Sequence, residues 1–162
     1  MPASASSISA ADLEALVRRL ALSFADSDGA LLPLLHAVQE EVGYIADAAV
    51  PIIADALNIS RADVHGVVTF YHDFRRQATG RHVVKLCRAE SCQARGAAAV
   101  EGALADRLDT AMGSTRTDGQ VTLEAVYCLG LCAIGPNALV DGRPVARIDD
   151  AAVERIAAEV AA

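Results

Sequence analysis

Four cysteines, Cys87, Cys92, Cys128 and Cys132, are all the cysteine in the chain, and they fall as two short pairs. The first is C-x4-C in Cys87-Arg88-Ala89-Glu90-Ser91-Cys92, the second C-x3-C in Cys128-Leu129-Gly130-Leu131-Cys132, with residues 93–127 between them. Four thiolates brought together from two loops hold either a [2Fe-2S] cluster, each iron taking two cysteine sulfurs and two bridging sulfides, or one tetrahedral zinc. C-x2-C dominates zinc sites, so the wider spacing here favours the cluster. A thioredoxin-type dithiol needs C-x-x-C, which is absent. The plant-type ferredoxin order, C-x4-C-x2-C with a remote fourth, is not met. Rieske ligation replaces two cysteines by histidines, but none of His36, His65, His72 and His82 lies beside a cysteine in either loop.

Composition narrows the setting. At 162 residues and 53% hydrophobic content the chain can build one ordinary domain or two small ones, each with a core. No run of 18 apolar residues occurs, and residues 1–9 lack a basic stretch followed by an apolar one. Neither a membrane span nor a signal peptide is expected, and the cysteines are expected to be cytoplasmic and reduced. In that compartment paired cysteines point to metal or redox chemistry rather than to disulfides. A net charge of −7 argues against a nucleic-acid surface, which needs a basic face, and makes protein partners the expectation.

The elements that must position the cysteines change type midway. Residues 1–7 are small and polar and read as a frayed arm. Ser9 with Asp12 resembles a capping box, and Leu13, Leu16, Val17 and Leu20 then repeat at helical spacing, predicting a helix over 10–24. A turn over 26–29 leads to a second helix through Val42, stopped near Gly43. Asp47 is placed to cap a third, 48–57, with Asn58 as its stop. Ser60 and Asp63 repeat the start signal for a fourth, whose apolar stripe is Val64, Val67, Val68 and Tyr71. Residues 74–80 form a basic connector ending on glycine. Residues 82–86 then read as a β-strand running into Cys87, 95–108 as an alanine-rich helix, and 121–127 as a strand ending on Cys128. Both cysteine pairs thus follow strand ends, where ligand sites of open α/β sheets commonly lie. Asp141-Gly142 marks a hairpin between 137–140 and 143–148, Pro144 confines the second arm to a sheet edge, and Asp149 or Asp150 caps a last helix through Val160. A helix starting near Arg95 would aim its free N–H groups at the thiolates, and Gly130, Gly135 and Pro136 allow a tight second loop. Leu129, Leu131, Ala133 and Ile134 are expected to keep water from it.

With these residues in view, the chain resembles the thioredoxin-like [2Fe-2S] ferredoxin family, which includes the 24-kDa subunit of respiratory NADH dehydrogenase. The two cysteine pairs followed by Pro136 carry the resemblance. Residues 34–45 (LLHAVQEEVGYI) and 66–71 (GVVTFY) extend it to the helical N-terminal module of those subunits. Residues 87–96 (CRAESCQARG) and 128–136 (CLGLCAIGP) look most like the gamma subunit of soluble, molybdenum-containing, NAD-dependent formate dehydrogenase.

The resemblance implies an α+β chain: a helical bundle over 1–75 that docks, then a thioredoxin-like α/β domain over 80–162 holding one [2Fe-2S] cluster on Cys87, Cys92, Cys128 and Cys132. It implies a one-electron-transfer subunit whose cluster lies near the FMN of a larger flavin- and NAD-binding subunit. FMN, NAD, molybdenum cofactor and further iron-sulfur clusters would sit on partners, among them a large molybdenum and iron-sulfur formate dehydrogenase subunit. The alternatives are the equivalent subunit of NADH:quinone oxidoreductase or of an NAD-linked hydrogenase, and a zinc-stabilised interaction module. The chain has no G-x-G-x-x-G after a strand, no G-x4-G-K-[ST] and no visible nucleophile–base pair, so no substrate site of its own is expected.

Overall fold

The computed structural model describes residues 8–24 and 27–161. The predicted frayed arm over 1–7 and Asp26 of the predicted turn lie outside the described residues. The chain divides into two compact units, with the boundary between Ala78 and Thr79.

The first unit is built from helices α1 (Ala10–Leu22), α2 (Leu31–Val42), α3 (Ala49–Leu57) and α4 (Arg61–Phe70). Leu13 and Val17 of α1, Leu34, Leu35 and Val38 of α2, Ile53 of α3 and Val64 of α4 recur at helical spacing and close on one another as a single core. The ends follow local chemistry. Ser9 Oγ accepts from the Asp12 N–H at 3.2 Å, and at α4 Ser60 and Asp63 make the full reciprocal capping box. Gly43 and Asn58 stop α2 and α3 in the left-handed conformation, at φ 90° and 52°. Two expectations fail. Helix α1 ends at Leu22, with Ser23 as its cap, not at Phe24. Asp47 does not cap α3: Ala48 occupies that position with helical dihedrals, and the Asp47 carboxylate instead accepts from Arg76 Nη2 at 2.7 Å. The start of the predicted connector is part of this unit, because Phe74 is buried in its core. Gln39 donates to the Asp73 carbonyl at 2.8 Å and accepts from the Arg75 N–H at 2.7 Å, pinning the backbone there.

The second unit contains strands β1 (His82–Cys87), β2 (Ser114–Thr115), β3 (Val121–Val126), β4 (Asn137–Val140) and β5 (Arg143–Ala146), with helices α5 (Glu90–Ala94), α6 (Ala97–Leu108) and α7 (Asp150–Val160). The sheet order is β2-β3-β1-β4-β5. Strands β1 and β3 are parallel, in a register that runs from His82 opposite Val121 to Cys87 opposite Val126; the other pairs are antiparallel. A parallel pair needs a crossover, and α6 lies within it. Val84 and Leu86, two apart on β1, point to one face of the sheet, where α6 supplies Leu104 and Leu108 and α7 supplies Val153 and Ile156. The hairpin forms at Asp141-Gly142, with φ of 48° and 80° as a two-residue turn of this hand requires, and Pro144 lies on edge strand β5. Asp141 also holds β1, its carboxylate accepting from the Val83 N–H at 2.8 Å and meeting His82 Nδ1 at 2.7 Å. Asp149 caps α7 by accepting from the Ala152 N–H at 2.8 Å.

Three features depart from expectation. The helix predicted over 95–108 begins two residues later, at Ala97, with Gly96 at φ 90° before it, and a separate short helix that was not foreseen, α5, precedes it and contains Cys92. Strand β2 was not foreseen, being two exposed polar residues without apolar alternation. The second hairpin arm ends at Ala146 rather than Ile148.

Gly80 stands where the chain enters β1. Its N–H donates to Thr122 Oγ1 at 2.7 Å, and a Cβ there would lie 2.8 Å from the Val121 backbone nitrogen. Backbone cannot swing aside as a flexible side chain would. Gly80→Ala is therefore expected to cost about 2 kcal/mol of stability, measured by denaturant unfolding of the full chain; an unchanged midpoint would show that the β1–β3 entry yields without strain.

Candidate metal centre

The aligned carboxyl ends of β1 and β3 bring the two cysteine loops side by side. Cys87 is the last residue of β1 and sits in register with Val126, the last of β3. Cys92 lies inside α5, Cys128 follows β3 in the left-handed conformation at φ 74°, and Cys132 opens a single 3₁₀ turn, Cys132–Ile134. All four are free thiols, Cys87 and Cys92 buried, Cys128 and Cys132 exposed.

The thiols are gathered in twos. Cys128 Sγ and Cys132 Sγ are 3.6 Å apart, too far for a disulfide and about the separation of two sulfurs bound to one tetrahedral metal ion. The Cys87 and Cys92 thiols are hydrogen-bonded to each other. Among the described residues, no three His, Cys, Asp or Glu side chains are gathered to hold a single metal ion. Thiols gathered in twos, one pair from each loop, fit a two-iron cluster better than a lone zinc.

The electrostatics come from backbone amides. Burial pushes the Cys87 thiol up, but the N–H groups of Ala89, Cys128 and Leu129, with the Cys92 thiol, together bring it below its ordinary value. Ala89 is the N-cap of α5, so a helix start does serve the site, although it is not the one near Arg95 that the sequence indicated. Cys128 and Leu129 belong to the other loop, which ties the two loops together through one sulfur. Cys92 is pushed up by burial and by its bond to Cys87, against the opposing Asn137 backbone N–H. Cys132 is pushed up by its hydrogen bond to Cys128.

Other parts of the sequence reading are modified. Leu129 packs against Cys87 and Cys92, but Leu131 and Ile134 are half-buried and Ala133 is exposed, so the second loop is not sealed from water. Of the histidines, His82 is bound to Asp141, and His36 packs on Phe74 at 4.9 Å. Two residues escaped sequence reasoning. Ser91 Oγ donates to the Cys132 carbonyl at 3.3 Å, crossing between the loops. Asn137, read only as a strand residue, is buried with its side-chain amide 3.7 Å from Cys92 Sγ. Its position directly after Gly135-Pro136 was the available signal.

This combination of a mixed sheet backed by helices and four thiols at the ends of two parallel strands defines an iron-sulfur protein of thioredoxin-like build. The thioredoxin-like [2Fe-2S] ferredoxin family matches residues 17–161, and the chain belongs to that family. The chain is 38% identical over 134 residues to an NADH-quinone oxidoreductase subunit of Escherichia coli (strain K12), covering 83% of this chain and 80% of that one. It is 36% identical over 118 residues to the like-named protein of Pseudomonas aeruginosa, covering 73% and 71%. Among solved structures, it superimposes on the crystal structure of an NAD+-reducing [NiFe]-hydrogenase in the air-oxidized state with a TM-score of 0.69 and 22% identity, over 81% of this chain and 22% of that one. At that identity the likeness concerns the fold.

Gly135 tests how tightly the second loop closes on the first. A Cβ there would lie 3.2 Å from both Cys92 Sγ and Arg95 Cδ. The arginine can move, whereas the buried sulfur must be displaced by a few tenths of an ångström. Gly135→Ala is expected to cost about 1 kcal/mol and to lower the iron content of purified protein. Gly102→Ala, in the middle of α6 with open space around the new Cβ, should instead gain about 0.5 kcal/mol and leave iron unchanged. Thermal unfolding with iron analysis reads both, and equal behaviour of the two variants would refute the close approach.

Proposed function

We propose that Cys87 and Cys92 hold one iron and Cys128 and Cys132 the other of a single [2Fe-2S] cluster, and that the chain is a one-electron-transfer subunit of an NAD-linked oxidoreductase complex. The observation that carries this reading is the pairwise gathering of four free thiols at the ends of adjacent parallel strands. When bound, the cluster takes up and returns one electron. The protein's part is to hold it. Amides of both loops screen the Cys87 sulfur, burial fixes the first pair, and exposure of the second pair leaves a face for electron exchange with a partner.

The complex we favour is a soluble, cytoplasmic NAD-dependent formate dehydrogenase, because the two cysteine stretches resemble its gamma subunit. On this reading the cluster lies near the FMN of a flavin- and NAD-binding subunit, and a large subunit carries molybdenum cofactor and further iron-sulfur clusters. Among the described residues no helix is long and apolar enough to cross a membrane, which is compatible with a soluble assembly. The second reading, the equivalent subunit of an NADH:quinone oxidoreductase or NAD-linked hydrogenase, is supported by the names of the relatives and of the structural neighbour. The subunits that co-purify decide between them: a molybdenum-containing partner supports the first, quinone-linked or nickel-iron partners the second.

Purified anaerobically, the chain is expected to be brown, with about two irons and two sulfides, and to give an S = 1/2 signal after one-electron reduction by dithionite. Stoichiometric zinc without iron, in protein from a host competent in cluster assembly, would refute this. Replacing any of Cys87, Cys92, Cys128 or Cys132 by Ser should damage the cluster. His82→Ala, which only breaks the bond to Asp141, should keep it; the reverse pattern would remove the all-cysteine assignment.

The two units invite a division of labour. Residues 1 to about 75 would supply docking surface, and the second unit, with its own core and all four cysteines, would assemble the cluster. A chain beginning at Thr79 is expected to retain the [2Fe-2S] spectrum and to stop co-purifying with the flavin-binding partner. Loss of the cluster in soluble truncated protein, or undiminished partner binding, would count against it.

A further inference from the structure

The two cysteine pairs differ in how their sulfurs meet solvent. Cys87 and Cys92 are each 1% exposed, one ending β1 and the other held inside α5. Cys128 and Cys132 are exposed, and their sulfurs lie 3.6 Å apart. Closing that gap to the S–S length of about 2 Å needs side-chain rotation and a small shift of the loop. Gly130, midway between them at φ 75° and with nothing within 4 Å of where a Cβ would lie, leaves room for that shift. Cys87 has no such freedom, because its backbone is in register with Val126 in the parallel β1–β3 pair. Oxidation of a thiol follows its accessibility, and a second thiol within reach turns the first product into a disulfide. The exposed pair meets both conditions, the buried pair only the second.

We propose that Cys128 and Cys132 form an oxidant-responsive dithiol in the chain before it is loaded with metal, closing to a disulfide with hydrogen peroxide while Cys87 and Cys92 stay thiols. One thiol takes an oxygen from the peroxide to become a sulfenic acid and releases water; the sulfur of the other then displaces the hydroxyl as a second water. Two thiols thus lose two electrons and two protons, and one peroxide is reduced to two waters. A sulfur in a disulfide is no longer a thiolate ligand, so the step takes two of the four cysteines out of use, and a dithiol reductant returns them. The disulfide itself is independent of the four-cysteine reading above; its consequence for metal loading rests on that reading.

The test uses the full chain, freed of metal by chelation under dithiothreitol, desalted without oxygen and treated with a small excess of hydrogen peroxide. Trypsin leaves Cys128 and Cys132 together on residues 117–147, whereas Arg88 separates Cys87 from Cys92, so mass spectrometry distinguishes the two disulfides. The 117–147 fragment should become two hydrogens lighter about ten times faster than either buried cysteine reacts. Cys87→Ser with Cys92→Ser should leave that rate unchanged. Cys132→Ser, which removes the partner thiol, should instead leave a sulfenic acid on Cys128 that dimedone traps. Iron uptake on anaerobic reconstitution should be lost when the disulfide forms and regained when dithiothreitol reduces it. A Cys87–Cys92 disulfide, equal reaction of all four thiols, or overoxidation of Cys128 with Cys132 still a thiol overturns the proposal. Undiminished iron uptake by the oxidised chain overturns its consequence for loading. Wild-type protein that takes up no iron even when reduced overturns that consequence together with the four-cysteine reading, and the fragment masses then decide the disulfide on their own.

Discussion

The parallel pairing of β1 and β3 is the constraint on which the candidate centre depends. Cysteines far apart in sequence meet only because both strands run the same way and end in the same register, Cys87 opposite Val126. Antiparallel pairing would send the two loops to opposite ends of the sheet. The crossover that parallel pairing requires is held by burial of the apolar faces of α6 and α7 on Val84, Leu86, Val121 and Leu123. Core packing on one side of the sheet thus fixes the geometry of thiols at its end. Gly80 sharpens the link, since the close approach of its Cα to the Val121 backbone sets where β1 begins relative to β3.

The same geometry explains how sulfur charge is accommodated by backbone dipoles. Arg88, adjacent to Cys87 in sequence, is turned onto Glu101 at 2.9 Å. The direct contacts of the buried sulfurs are amides, from Ala89, Cys128 and Leu129 to Cys87 and from Asn137 to Cys92. Amide dipoles are fixed by the chain path and stay put when charge changes, whereas a long basic side chain would have to be ordered first. A left-handed Cys128, at φ 74°, belongs to the loop path that delivers two of those amides.

What could be read from the sequence follows from how local each signal is. The Ser60–Asp63 capping box, the Gly43 and Asn58 stops and the Asp141-Gly142 hairpin each depend on a few neighbouring residues, and each formed as read. Asp47 misled because a distant partner, Arg76, takes the carboxylate that a cap would use. The break at Gly96 was hidden by the alanines around it, which favour helix on both sides, so that Cys92 was assigned to the loop before a helix rather than to a helix of its own. The four cysteines stood out by type and spacing. Asn137 did not, because an asparagine at the start of a strand has no distinctive pattern until the fold buries it against a sulfur.

The exposed pair is better held than its exposure implies. Leu131 accepts from Asn137 Nδ2 at 2.8 Å and from the Ile134 N–H at 3.0 Å, Cys132 accepts from Ser91 Oγ at 3.3 Å, and Ile134 accepts from the Arg147 N–H at 2.9 Å. These bonds tie a solvent-facing loop to β4, to α5 and to the segment after β5, so its backbone is ordered by the sheet rather than by whatever it binds. A centre that gains and loses one electron works best when the surrounding dipoles are already in place and little has to move between the two states. Fixed amides around a buried pair, and a surface pair fastened by hydrogen bonds rather than by burial, meet that requirement while leaving one side of the centre open to a partner.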